Sequence, residues 1–91
     1  MKRISILVSG KVQGVFFRAS TEKIAAQIGV DGFVRNTTDR KVYIEAQGTE
    51  AQLQQLAEWC KHGPERAIVE NIVITNIPIK NDEGFCIVKT S

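Results

Sequence analysis

With 91 residues, 43% of them hydrophobic, the chain has material for one core and not for a second. Its formal net charge is only +2 and its lysines and arginines are dispersed, which argues against a duplex-binding surface, since that needs a clustered basic stripe. No apolar run approaches the roughly 20 residues that cross a bilayer, so neither nucleic acid nor a membrane is an expected partner.

Ile4, Ile6 and Val8 alternate with Ser5, Leu7 and Ser9, the period-2 mark of a strand with one apolar face. The Gly10 to Gly14 stretch is expected to end it. Phe17, Thr21, Ile24, Ala25 and Ile28 then recur at helical spacing and predict a first helix, stopped by Gly29. Residues 30–36 and 42–47 predict a second and a third strand, with 37–41 as their hairpin connection and Gly48-Thr49 as a following turn. Leu53, Leu56, Ala57 and Cys60 form a second helical stripe. Thr49 is its expected N-cap, Gln52 stands at the capping-box position, and Gly63-Pro64 is the expected terminator. The β-branched run 68–77 ends at Pro78, and a turn over Asn81-Asp82-Glu83-Gly84 leads to a short last strand, 85–88.

The order β-α-β-β-α-β plus a final strand predicts an α+β protein of one domain, residues 1–91. Its architecture is the ferredoxin-like βαββαβ two-layer sandwich, a mostly antiparallel sheet with two helices on one face and right-handed crossovers. That fold carries RNA-binding, metal-carrier and regulatory domains as readily as enzymes, so function has to be read from residues. Cys60 and Cys86 lack C-x-x-C spacing, and Met1-Lys2-Arg3 runs straight into a strand-like segment without a secretory leader. Both are expected to be reduced packing residues of a cytoplasmic protein. His62 has no histidine or cysteine partner at ligand spacing and reads as a surface residue, so no metal is expected. Trp59 is expected to pack partly against the sheet.

Between the first strand and the first helix lies Gly10-Lys11-Val12-Gln13-Gly14-Val15-Phe16-Phe17-Arg18. A glycine-containing strand-to-helix turn can aim several main-chain N–H groups at one point, and the helix adds its unpaired donors and about +0.5 charge. Arg18 would sit in the first turn, where the helix dipole disfavours a cation unless an anion joins it. Spacing alone equally allows the glycines merely to permit a tight turn and Arg18 to point into solvent. Neither G-x-x-x-x-G-K-[ST] nor G-x-G-x-x-G is present, so nucleotide binding of those kinds is not indicated. A second cluster, Gly32-Phe33-Val34-Arg35-Asn36, closes the second strand. With that strand expected antiparallel to the first, its end falls at the opposite edge of the sheet from Arg18. By itself, Asn36 reads as a residue of the hairpin turn.

Together the two clusters closely resemble the acylphosphatase family. Its first motif, G-x-V-Q-G-V-x-F-R, is matched at Gly10, Val12, Gln13, Gly14, Val15, Phe17 and Arg18. Its second, a glycine, an aromatic, a small residue and an asparagine followed by aspartate, glycine and valine, is matched at Gly32, Phe33, Val34, Asn36, Asp39 and Val42. The likeness continues through Gly48, Gly63-Pro64, Val69-Glu70 and Phe85. The resemblance implies hydrolysis of the carboxyl–phosphate bond of a small-molecule acyl phosphate, with no metal, no cofactor and no phosphoenzyme, by a monomer. It implies that Arg18 and the main-chain donors of Gln13, Gly14, Val15, Phe16, Phe17 and Arg18 hold the phosphate. Asn36 then faces this loop and positions water, making Arg18 and Asn36 the catalytic pair. Inorganic phosphate or sulfate would suit the same site.

Arg40 departs from the pattern, standing where the family usually has the hairpin glycine. A left-handed conformation there costs a non-glycine residue about 1 kcal/mol or more, which leaves open a catalytically weakened anion- or partner-binding domain as the alternative. Two further readings are weaker. A piece of a larger carbamoyl-handling maturation protein is not indicated, because no zinc-finger cysteines or linker occur before Ser91. RNA binding on an open sheet face needs exposed aromatics, and Phe33 and Tyr43 are expected to pack in the core or hairpin.

Overall fold

The computed structural model describes residues 1–90, and Ser91, the last residue of the expected domain, lies outside the described residues. The elements are β1 (Lys2–Lys11), α1 (Phe17–Ile28), β2 (Asp31–Asn36), β3 (Val42–Gly48), α2 (Glu50–Cys60), β4 (Ile68–Ile77) and β5 (Phe85–Ile87). One five-stranded sheet in the order β4-β1-β3-β2-β5 carries them, so the expected ferredoxin-like class is the observed one. Every pairing is antiparallel except β2 with β5, which is parallel.

Local sequence explains most boundaries. Gly29 ends α1 with its N–H donating to Ala25 O at 2.8 Å. Thr49 and Gln52 form the full capping box of α2, with Gln52 N–H donating to Thr49 Oγ1 at 3.2 Å and Thr49 N–H to Gln52 Oε1 at 2.9 Å. The first strand outlasts its expected stop at Gly10: pairing with β4 continues to Lys11 across an irregularity between Ser9 and Gly10. Gly63 does more than terminate a helix. A Cβ there would approach Phe17 Cε2 to 2.5 Å, so the missing side chain makes room for that ring.

The core lies between the helices and one sheet face. Ile4, Ile6, Val8, Val34, Val42, Ile44 and Ala46 meet Phe17, Ala25, Leu53, Leu56 and Cys60, all of them buried. Burial pushes the Cys60 thiol up to about 12, which suits an inert packing residue. Cys86 is also free but exposed, so only one of the two cysteines packs internally. Trp59 meets Phe17 of α1 edge-on, at 5.4 Å between ring centres, and thus packs between the helices where the sheet was the expected partner.

Strand directions correct one expectation. Because β3 runs antiparallel to both β1 and β2, the first two strands point the same way, as a right-handed β1-α1-β2 crossover requires. The start of α1 and the end of β2 therefore share one edge of the sheet. The turn chemistry of the hairpin also differs from expectation. Thr37 closes it, its N–H donating to Lys41 O at 2.9 Å and its Oγ1 accepting from Lys41 N–H at 2.9 Å. The Asn36 side chain makes no hydrogen bond within the turn among the described residues.

The helix-free face carries a polar network. Arg3, only 1% exposed, donates through Nε to Glu45 Oε1 at 3.0 Å and through Nη2 to Asp82 Oδ2 at 2.7 Å. Tyr43 Oη and Lys80 Nζ also donate to Glu45, and Gln47 holds the Lys80 backbone from both sides. Phe33 and Tyr43 belong to this face and not to the core: their rings lie 6.1 Å apart, and the Arg35 guanidinium covers Tyr43 at 4.7 Å.

Burial alone would raise the Glu45 carboxyl, but hydrogen bonds from Tyr43, Lys80 and Arg3 outweigh it and hold the group below its ordinary value. A carboxyl lowered on folding stabilises the fold above its unfolded pKa of about 4.3, and the contribution vanishes as pH falls through the folded value. Urea midpoints are expected to drop from pH 7 to pH 3, with a shallower acid dependence in Glu45→Gln. An identical pH slope in that variant would remove Glu45 from the account. Arg40, at φ 69°, does adopt the left-handed conformation that glycine tolerates best. Arg40→Gly is therefore expected to raise stability by about 0.5–1 kcal/mol at unchanged denaturant slope, the relief of strain exceeding the entropy added to the unfolded chain.

Candidate active site

The turn into α1 is shaped by the sign of φ. Gly14 at 73° and Phe16 at 63° are left-handed, while Val15 between them and the helical Phe17 after them are not. Such alternation curls successive N–H groups toward one side into an anion-binding concavity. No backbone N–H from Gln13 through Ala19 finds an acceptor among the described residues; the first bond of the helix is Ser20 N–H to Phe16 O at 3.0 Å. The N-cap residue, Phe16, offers no side-chain oxygen to these donors, and the first turn contains no acidic residue. Arg18 adds a permanent positive charge to that turn and pairs with no carboxylate among the described residues.

Asn36, the last residue of β2, lies across from this turn. Gln13, Gly14, Phe16, Phe17, Arg18 and Asn36 line one cleft of about 350 Å³, together with Val12, Ala19 and Ile87. Of the residues singled out from the sequence, Val15 alone is absent from the lining: its side chain is buried in the core, which leaves only its main chain for the loop. The Gln13 side chain has a separate task. Its Nε2 donates to Thr37 O at 3.0 Å and to Lys41 O at 2.8 Å, tying the loop to both ends of the hairpin that follows Asn36.

Two features of the cleft were not foreseen from sequence. Ile87 enters it from β5, because β5 adds to the sheet beside β2 and in the same direction, ending at the same edge. No local pattern distinguishes an isoleucine at a cleft wall from one in a core, so only the strand order exposes it. The Gln13 clamp joins residues 24 and 28 positions apart, beyond any turn rule.

Comparison with known proteins agrees with the fold. The acylphosphatase family model matches residues 4–87. The chain is 50% identical over 78 residues to an acylphosphatase of Marinobacter nauticus, covering 86% of this chain and 85% of that one. It superposes on the crystal structure of acylphosphatase from Bacillus subtilis with a TM-score of 0.94 at 35% identity, covering 97% and 99% of the two chains. It is also similar to full-length HypF in a phosphate- and nucleotide-bound form, with a TM-score of 0.90 at 28% identity, covering 98% of this chain and 12% of that longer one. A model match over nearly the whole sequence and a half-identical relative of the same length lead to one conclusion: the chain belongs to the acylphosphatase family.

Proposed function

We propose that the chain hydrolyses the carboxyl–phosphate bond of small acyl phosphates, with Arg18 and the loop amides holding the phosphoryl group and Asn36 positioning the attacking water. The observation that carries this reading is the shared cleft: a guanidinium and a run of main-chain donors lie opposite a side-chain amide, and among the described residues the guanidinium has no carboxylate partner, the donors no acceptor and the amide no hydrogen bond. Phosphoryl transfer proceeds through a loose transition state with charge spread over three oxygens, so alignment and charge stabilisation supply most of the catalysis. A planar guanidinium bonds two of those oxygens at once, and the curled N–H groups of Gln13, Gly14, Val15, Phe16, Phe17 and Arg18 serve the others.

The leaving group is a carboxylate, which departs without protonation. Water oxygen bonds to phosphorus as the phosphorus–carboxylate bond breaks, and the second water proton passes to a phosphate oxygen of the substrate. The products are the carboxylate and dihydrogen phosphate, and no base beside Asn36 is needed. On this reading the chain acts as a single domain and as a monomer. A free, exposed thiol at Cys86 suits a reducing compartment such as the cytoplasm.

Arg18→Lys is expected to lose both phosphate binding and turnover, because a point charge cannot reproduce the bidentate fork; removing one such donor costs roughly 10²- to 10³-fold in rate. Asn36→Ala is expected to lose turnover at a similar scale while still binding inorganic phosphate. Calorimetric titration with phosphate and benzoyl phosphate hydrolysis rates check both. Parallel loss of phosphate binding in Asn36→Ala would count against water positioning.

A further inference from the structure

Arg40 stands where its own backbone would favour another residue. At φ 69° it is left-handed, a conformation that glycine adopts freely and asparagine with less strain than arginine. Its side chain is exposed and, among the described residues, its guanidinium meets no carboxylate. The neighbouring charges answer each other, since Lys41 Nζ lies 3.6 Å from Asp39 Oδ2. Residues 37–41 therefore carry one uncompensated positive charge, and it sits on the strained residue. Backbone strain at a side chain whose charge has no partner in the fold points to a role outside folding.

The hairpin borders the cleft. Asn36 lines that cleft and pairs across the sheet with Val42, so Arg40, two residues before Val42, has its Cα within roughly 13 Å of the Asn36 Cα by backbone geometry. The donor loop is tied to the same hairpin, because Gln13 Nε2 donates to Thr37 O and Lys41 O, on either side of Arg40. Arg40 does not itself line the cleft, which leaves phosphate contact to Arg18 and the loop amides. What reaches the cleft from the hairpin is the field of the charge. Screening acts over about 10 Å at 0.1 M salt and about 30 Å at 0.01 M, so ionic strength decides how much of that field an arriving anion feels.

Resting on the hydrolase reading above, we propose that Arg40 is an electrostatic guide: from the rim of the cleft its free charge draws the doubly charged phosphoryl group toward the donor loop. A like-signed charge beside a binding cleft raises the local concentration and capture rate of an oppositely charged substrate. For a dianion about 10 Å from one added unit charge near water, the gain is about two- to threefold at low salt. The guide acts on encounter and not on the bound state, so it raises kcat/KM and leaves kcat alone.

The test follows benzoyl phosphate hydrolysis from about 0.01 M to about 1 M ionic strength in the wild type, Arg40→Asn and Arg40→Lys. Asparagine tolerates the left-handed backbone without the charge, whereas lysine keeps the charge without relieving the strain. Arg40→Asn is expected to show kcat/KM about two- to threefold below wild type at the lowest salt, converging on wild type at the highest, with kcat unchanged throughout. Arg40→Lys is expected to follow the wild type at every salt concentration. A deficit in Arg40→Asn that persists at high salt, or one that Arg40→Lys shares, overturns the guide, because misplacement of the hairpin and not lost charge would then be the cause. Equal kcat/KM for wild type and Arg40→Asn at low salt also overturns it and leaves the hydrolase reading standing. A folded wild type that does not hydrolyse benzoyl phosphate overturns both.

Discussion

Two hydrogen bonds from the Gln13 amide, to Thr37 O and Lys41 O, join the halves of the cleft. The loop that supplies the curled N–H groups and the strand that supplies Asn36 are separate in sequence, and each could shift against the other without this link. Each bond contributes only about 1 kcal/mol net to folding. Its larger effect is geometric, since a site that depends on alignment loses rate when its parts drift by an ångström. The clamp grips main-chain oxygens, so the hairpin's side chains can vary without releasing it. That insulation fits a hairpin whose fourth residue is Arg40: the position is strained, but Thr37 and Gln13 fix the turn from both sides regardless of what occupies it.

Elements were legible in the sequence because their causes are local. Alternation at Ile4, Ile6 and Val8, helical spacing at Leu53, Leu56, Ala57 and Cys60, and the Thr49–Gln52 box all act within a few residues, and the structure carries each of them. Relations between elements were less so. Strand two was expected to oppose strand one, although the right-handed crossover through α1 forces them parallel with β3 inserted between. That single sign separates Asn36 from Arg18 or unites them, and the family resemblance supplied the correct answer where pattern reasoning supplied the wrong one. Aromatic residues posed a similar problem. Phe33 and Tyr43 sit on alternating strand positions that look apolar-facing, but their partners across the sheet are Glu45 and Arg35, which assigns them to the polar face.

Among the described residues, two that are not glycine occupy left-handed conformations, Phe16 and Arg40. At Arg40 the cause is structural, since a short hairpin needs one residue of positive φ and any side chain there bears the cost. At Phe16 the conformation also serves the loop, because together with Gly14 it alternates the sign of φ and turns the donors inward. A glycine would do this equally well.

The polar network on the far face reaches the cleft through β5. To pass from β4 at one edge to β5 at the other, the chain must cross the sheet, and residues 78–84 are fastened along the way. Gln47 holds Lys80, Arg3 holds Asp82, and Asp31 Oδ1 accepts from Gly84 N–H at 2.9 Å while Gly84 O accepts from Gly32 N–H. Beyond Gly84 only three residues pair with β2 before the strand ends at Ile87. So short a strand cannot fix its own register firmly, and Arg3, buried against Glu45, shares that task by holding Asp82 in the segment that leads into it. A buried pair of this kind adds little net stability over apolar packing, but breaking it leaves an uncompensated charge. Its worth here is positional: through Asp82, Arg3 helps to fix the segment that carries Ile87 to the cleft.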